Sequence, residues 1–151
     1  MDNTENPGTA VVVAVEESLA IAASWLHWDG TPRVSEDDRV FTPHKAVRRI
    51  GDHLVDHLAE MEALLAGVPT QPDGWYASLV TTAGDWAPFT EVDLVEAGQR
   101  LRRLARTLEL RLTAAGPDAW DSPRAPSWTL REIAEHLVEV RWYAEQVGRL
   151  S

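Results

Sequence analysis

The chain has 151 residues, 44% of them hydrophobic and 25% charged, which suits one globular domain with a substantial core. Its formal net charge of −10, from 14 Lys and Arg against 24 Asp and Glu, repels phosphate backbones and anionic lipid and argues against nucleic-acid and membrane partners. Cysteine is absent from the sequence. That excludes a disulfide framework and any protein thiol as nucleophile or metal ligand, and it fits a cytoplasmic protein.

The opening "MDNTENPGTA" is polar and acidic, without the basic region of a signal peptide, and residues 1–8 are expected to form a flexible tail. The next stretch, "VVVAVEESLAIAASWL", carries Glu16 and Glu17 in its middle and so does not read as a membrane span. Val15, Leu19, Ala22, Ala23 and Leu26 repeat at three and four, which predicts a first helix over Thr9 to Trp28. The following "DGTPRVSEDDRVF" is polar and turn-rich and is expected to be a loop.

A second helix starts clearly. Thr42 is a good N-cap and Pro43 occupies the first helical position, where its missing N–H does no harm. Val47, Ile50, Leu54, Leu58, Met61 and Leu65 form one apolar stripe, closed by Gly67 and Pro69. Residues 68–89 hold Pro72, Gly74, Gly84 and Pro88 with Trp75 and Trp86, and are expected to form an ordered loop with a short helical turn. The third helix opens at Thr90 with Asp93 three residues on, a variant capping box, and buries Leu94, Leu101, Leu104, Leu108 and Leu112. Arg100, Arg102, Arg103, Arg106 and Arg111 on the same helix read as a solvated face, with a second role as anchors for an anionic substrate. "AGPDAWDSPRAP" ends that helix and is expected to form the last loop, after which the fourth helix starts at Thr129, and Ile133, Leu137, Val140, Ala144 and Val147 carry its stripe. Four such helices predict an all-α protein, a single-domain four-helix bundle spanning residues 1–151.

The chain writes one pattern twice: "IGDHLVD" at 50–56 and "IAEHLVE" at 133–139. At about 100° per residue, His53 and His57 lie on neighbouring turns at one edge of the second helix's stripe, and His136 takes nearly the same offset on the fourth. Side chains at that angle point into the seam between helices, where bundles commonly build metal sites. Histidines four apart on one helix can bind a single ion. Glu132 stands four before His136 and shares its face, but it also completes a capping box with Thr129. The candidate ligands are therefore His53 and His136, with His57 or Glu132 as the third. Asp52, Asp56 and Glu135 are expected to face solvent, and His27 and His44 carry no assigned role. Trp142 and Tyr143 read as core aromatics or as pocket lining.

"PSWTLREIAEHLVEV" and "RRIGDHLVDHLAEMEALL" resemble the two signature helices of the DinB/YfiT-like superfamily. The resemblance covers the second and fourth predicted helices, and the first only in general character. It implies a bundle, often homodimeric, that binds zinc or nickel through three ligands. In the related mycothiol-dependent maleylpyruvate isomerases the ligand pattern falls on His53, Glu132 and His136. In members that use three histidines it falls on His53, His57 and His136. Here the H-x-x-x-H pair precedes the W-T-x-R-E helix, which reverses the usual order. Three ligands leave an open position that lowers the pKa of a bound thiol or water. The implied function is a metal-dependent transferase, isomerase or hydrolase acting on a small molecule, with a low-molecular-weight thiol as cosubstrate. The alternative is a non-catalytic, metal-free helical bundle for small-molecule binding or protein interaction, its histidines satisfied in the core.

Overall fold

The computed structural model describes residues 4–72 and 75–151. It is mostly helical. The helices are α1 (Gly8–Ala22), α2 (Pro43–Ala66), α3 (Tyr76–Leu79), α4 (Glu91–Ala115), α5 (Pro117–Trp120), α6 (Leu130–Leu137) and α7 (Arg141–Val147). Short 3-10 segments follow α1 at Ala23–His27, precede α4 at Ala83–Trp86 and join α6 to α7 at Val138–Val140. Helix α1 packs most heavily on α4 and also on α6 and α7, while α2 packs on α4, α6 and α7. One hydrophobic core results, with Val11, Trp25, Ile50, Leu54, Leu101, Leu108, Ile133 and Leu137 almost wholly buried.

The helix starts follow the expected chemistry. The Thr42 hydroxyl accepts from the Lys45 N–H, and Thr90 with Asp93 and Thr129 with Glu132 form complete capping boxes. Gly67 takes the left-handed conformation at φ 70°, which glycine adopts without steric cost, and ends α2. The first predicted helix divides, with α-helix to Ala22 and a tighter 3-10 turn to His27. By length and apolar composition Gly8–His27 would suffice to cross a membrane. Here its Val11, Ala14, Val15, Leu19 and Ala22 are core residues.

Three expectations need correction. The predicted 29–41 loop contains a two-residue antiparallel pairing, Arg33–Val34 with Val40–Phe41, turned by Asp38 at φ 64°. Its driving force is Phe41, 1% exposed and packed edge-on to Trp142 at 5.6 Å. The loop before the last predicted helix includes α5, which buries Trp120 and aims its indole N–H at the Leu112 carbonyl, 2.8 Å away. The last predicted helix is interrupted at Val138–Val140, although its dihedrals stay right-handed helical and the buried stripe runs on through Val140, Ala144 and Val147. Of the expected tail, residues 1–3 lie outside the described residues. Asn6 is held, its amide donating to the Glu109 carbonyl and the Thr113 hydroxyl at 2.9 Å each. Gly74 likewise lies outside the described residues.

The segment after α2 is ordered by charges from α2 itself. The Arg48 guanidinium donates to both Asp85 carboxylate oxygens, at 3.2 and 2.7 Å, and to the Val80 carbonyl at 2.7 Å. The Thr82 N–H donates to the same carboxylate at 2.8 Å, and Lys45 Nζ donates to the Val40 carbonyl and the Thr81 hydroxyl. Burial works to raise the Asp85 pKa, but the Arg48 and Thr82 hydrogen bonds outweigh it and hold the carboxyl below its ordinary value.

Candidate metal centre

Helix α2 presents His53 and His57 one turn apart, and the last turn of α6 presents His136 to the same point. One ring nitrogen from each of the three lies within 4.8 Å of the others. His53 Nε2 and His136 Nε2 are 2.9 Å apart, a hydrogen bond between two imidazoles. The ring centroids stand 4.7 Å (His53–His57), 4.9 Å (His53–His136) and 5.0 Å (His57–His136) apart.

A carboxylate holds the outer edge of one ring, and a second lies near that of another. Glu60 accepts a 2.7 Å bond from His57 Nδ1, and a Glu139 oxygen lies 3.3 Å from His136 Nδ1. A carboxylate on Nδ1 keeps the proton there and leaves the Nε2 lone pair free, the usual support of a metal-ligating histidine. Both glutamates sit three residues after their histidine, in "HLAE" and "HLVE". That repeated spacing was readable in the sequence and was missed. If the carboxylates support metal ligands, Glu60→Gln and Glu139→Gln should each weaken zinc binding about 10- to 100-fold. Competition against a chromogenic chelator measures this, and unchanged affinity in both variants would remove the carboxylates from the site.

The donor set suits a borderline cation such as zinc or nickel. Two nitrogens on one tetrahedral zinc stand roughly 3.3 Å apart, given bonds of about 2.0–2.1 Å. His53 and His136 are slightly closer than that, so small ring movements accommodate an ion. His53 is also kept neutral. Burial first, then the His57, His136 and Arg49 charges, push its pKa from 6.5 to about 3. A base held neutral accepts a cation without first losing a proton.

The same shift predicts a pH dependence of the metal-free protein. The unfolded chain takes up the His53 proton near pH 6.5 and the folded chain only near 3. The stability from this group is therefore complete above about pH 6.5 and declines as pH falls toward 3, by at most about 1.4 kcal/mol per pH unit. Urea titrations at pH 7.5 and 5 check it. A His53→Gln variant with the same slope between those values would contradict it.

The triad stands between two cavities. On one side His53 and His136 line a space of about 490 Å³ with Glu139, Trp142 and Tyr143. On the other, all three histidines meet Arg49, Trp75 and Trp128 around about 240 Å³. Trp128 lies nearly parallel to the His57 ring, 13° between planes, and edge-on to His136 at 5.0 Å. The exposed Trp75 and Trp128 thus spend their apolar surface at the site rather than in the core.

Glu132 is not brought to the histidines. Its carboxylate accepts from the Thr129 N–H at 3.2 Å as the capping box requires, and it stands outside the three-histidine group. Asp52 and Asp56, expected in solvent, both line the smaller cavity, and Glu135 lines the larger. Tyr143 and Trp142 serve both expected roles, packing on Phe41 and lining the larger cavity. The arginines of α4 do not line either cavity. Arg100, Arg102 and Arg111 instead pair with Glu96, Glu16 and Glu62, the solvated face that was expected. The cation of the smaller cavity is Arg49, which no local motif marks, and Arg141 lines the larger one. His44 is turned away, its Nε2 3.1 Å from the Pro88 carbonyl.

Comparison of the chain with models of protein families, with curated proteins and with solved structures finds no match.

Proposed function

We propose that this protein is a DinB/YfiT-like helical bundle that binds one divalent cation, zinc or nickel, through His53, His57 and His136. The observation that carries the reading is the convergence of three ring nitrogens within 4.8 Å, two of the rings backed by glutamates on Nδ1. Glu132 is left to the capping box. When bound, such an ion with three imidazole ligands keeps an open position and brings the pKa of a thiol or water there toward neutrality. With no cysteine in the chain, a thiolate would come from a low-molecular-weight thiol. The chain's own residues would hold the small-molecule substrate against Trp75 and Trp128 and limit water at the triad. The reaction proposed is a metal-dependent transfer, isomerisation or hydrolysis. Homodimer formation and a cytoplasmic location belong to the same reading and rest on the resemblance.

A second reading has its own support. The 2.9 Å bond between His53 and His136 gives one nitrogen of each ring a partner without an ion, as in a metal-free binding protein. Elemental analysis of protein purified without a histidine tag or nickel column, before and after exposure to zinc and dialysis, separates the two. About one zinc or nickel per chain supports the metal reading; no retained metal in either state leaves the metal-free one.

A further inference from the structure

Arg48 and Arg49 are adjacent on α2 but differently used. Arg48 is neutralised, with Asp85 at 2.7 Å and Asp52 at 3.8 Å. Arg49 donates to the Ser78 hydroxyl at 2.7 Å and the Tyr143 hydroxyl at 3.0 Å, and its guanidinium lies 4.9 Å from the Tyr143 ring centre. These partners are neutral, and no carboxylate among the described residues lies within ion-pairing distance of Arg49. A guanidinium has five N–H donors in a planar fork that fits a carboxylate. Two hydroxyls and an aromatic face fix this fork in place without an ion pair among the described residues.

The place matters as much as the charge. Arg49 lines the smaller cavity with His53, His57 and His136. Trp75, Leu79 and Trp128 supply that cavity's apolar wall, and Asp52 and Asp56 line it on the α2 side. The α2 helix therefore presents Arg49 one turn before His53 and two turns before His57, all facing one space with aromatic sides.

We infer that Arg49 anchors the carboxylate of a small-molecule ligand whose apolar body lies against Trp75 and Trp128, with its remaining end at the histidines. The inference rests on the triad being a metal site, and it names the substrate class of that site: a small apolar or aromatic carboxylate. Ser78 and Tyr143 position the guanidinium; Arg49 makes the contact.

Benzoate is a simple probe of this class, and benzamide is its neutral counterpart of the same shape. Both are titrated by calorimetry into zinc-loaded, tag-free protein whose zinc content has been measured. Benzoate should bind at least tenfold more tightly than benzamide. Arg49→Gln should weaken benzoate at least tenfold with zinc content and benzamide affinity unchanged, and Arg49→Lys should lose less. Equal benzoate affinity in Arg49→Gln would overturn the inference, since the ion alone would then be holding the carboxylate. So would an equal loss of benzamide affinity in Arg49→Gln, which would reduce Arg49 to a tie for the α3 segment. No benzoate binding to zinc-saturated wild type strikes the carboxylate subsite alone. Failure of wild type to retain zinc strikes the metal reading, and the subsite falls with it.

Discussion

Asp85→Asn is expected to destabilise the protein by about 3 kcal/mol, because it removes the buried partner of the Arg48 ion pair and leaves that guanidinium only Asp52, 3.8 Å away. Asp85 is 3% exposed and accepts from Arg48 twice and from the Thr82 N–H. Asparagine cannot replace both carboxylate oxygens as acceptors, and its amide hydrogens would face the Arg48 donors. For a domain of this size the melting temperature should fall by roughly 6–12 °C. The ionised Asp85 stabilises the fold above the ordinary carboxylate range and loses that contribution as pH falls through its lowered value. The gap between wild type and variant should therefore narrow at pH 3. Melts at pH 7 and 3 measure both effects, and a variant melting with wild type at pH 7 would show that Arg48 and Asp85 do not hold the 75–86 segment. Zinc retention should survive the change, because the triad is carried by α2 and α6.

His136→Ala is expected to lower zinc affinity by well over a hundredfold, since loss of a supporting carboxylate alone costs 10- to 100-fold. His53→Ala should do the same, because each removes one of three nitrogens that converge on one point. His44→Ala should retain zinc fully, its ring being engaged with the Pro88 carbonyl and Asp93 rather than with the triad. The alanine variants should keep the far-ultraviolet helical signal. His136→Ala also leaves the His53 ring without its 2.9 Å partner, so a modest loss of stability, on the order of 1–3 kcal/mol, is expected. Zinc retained at wild-type stoichiometry in both His136→Ala and His53→Ala would end the metal assignment.

How far the sequence led can be seen residue by residue. His53, His57 and His136 were readable because helical periodicity fixes direction, and a side chain at the edge of an apolar stripe must enter a seam. The three helix starts at Thr42, Thr90 and Thr129 were readable because capping is a local chemistry of adjacent residues. Glu132 illustrates two local rules in competition, and the backbone N–H won its carboxylate. Arg49 was not readable. Its role depends on Ser78 and Tyr143, 29 and 94 residues away, and no periodicity encodes such partners. The break at Val138–Val140 was hidden for another reason: no Gly or Pro marks it, and the dihedrals change too little to interrupt the apolar stripe.

Helix α2 runs unbroken from Pro43 to Ala66 and carries Lys45, Arg48 and Arg49 before His53 and His57. A single residue inserted between Arg49 and His53 would turn one half against the other by about 100°. The basic residues could then keep their loop contacts only if the histidines swung out of the seam, or the reverse. Inserting seven residues would nearly restore direction but separate the halves by about 10 Å. The helix thus works as a camshaft whose lobes must stay in phase, and change along this stretch is confined to substitution.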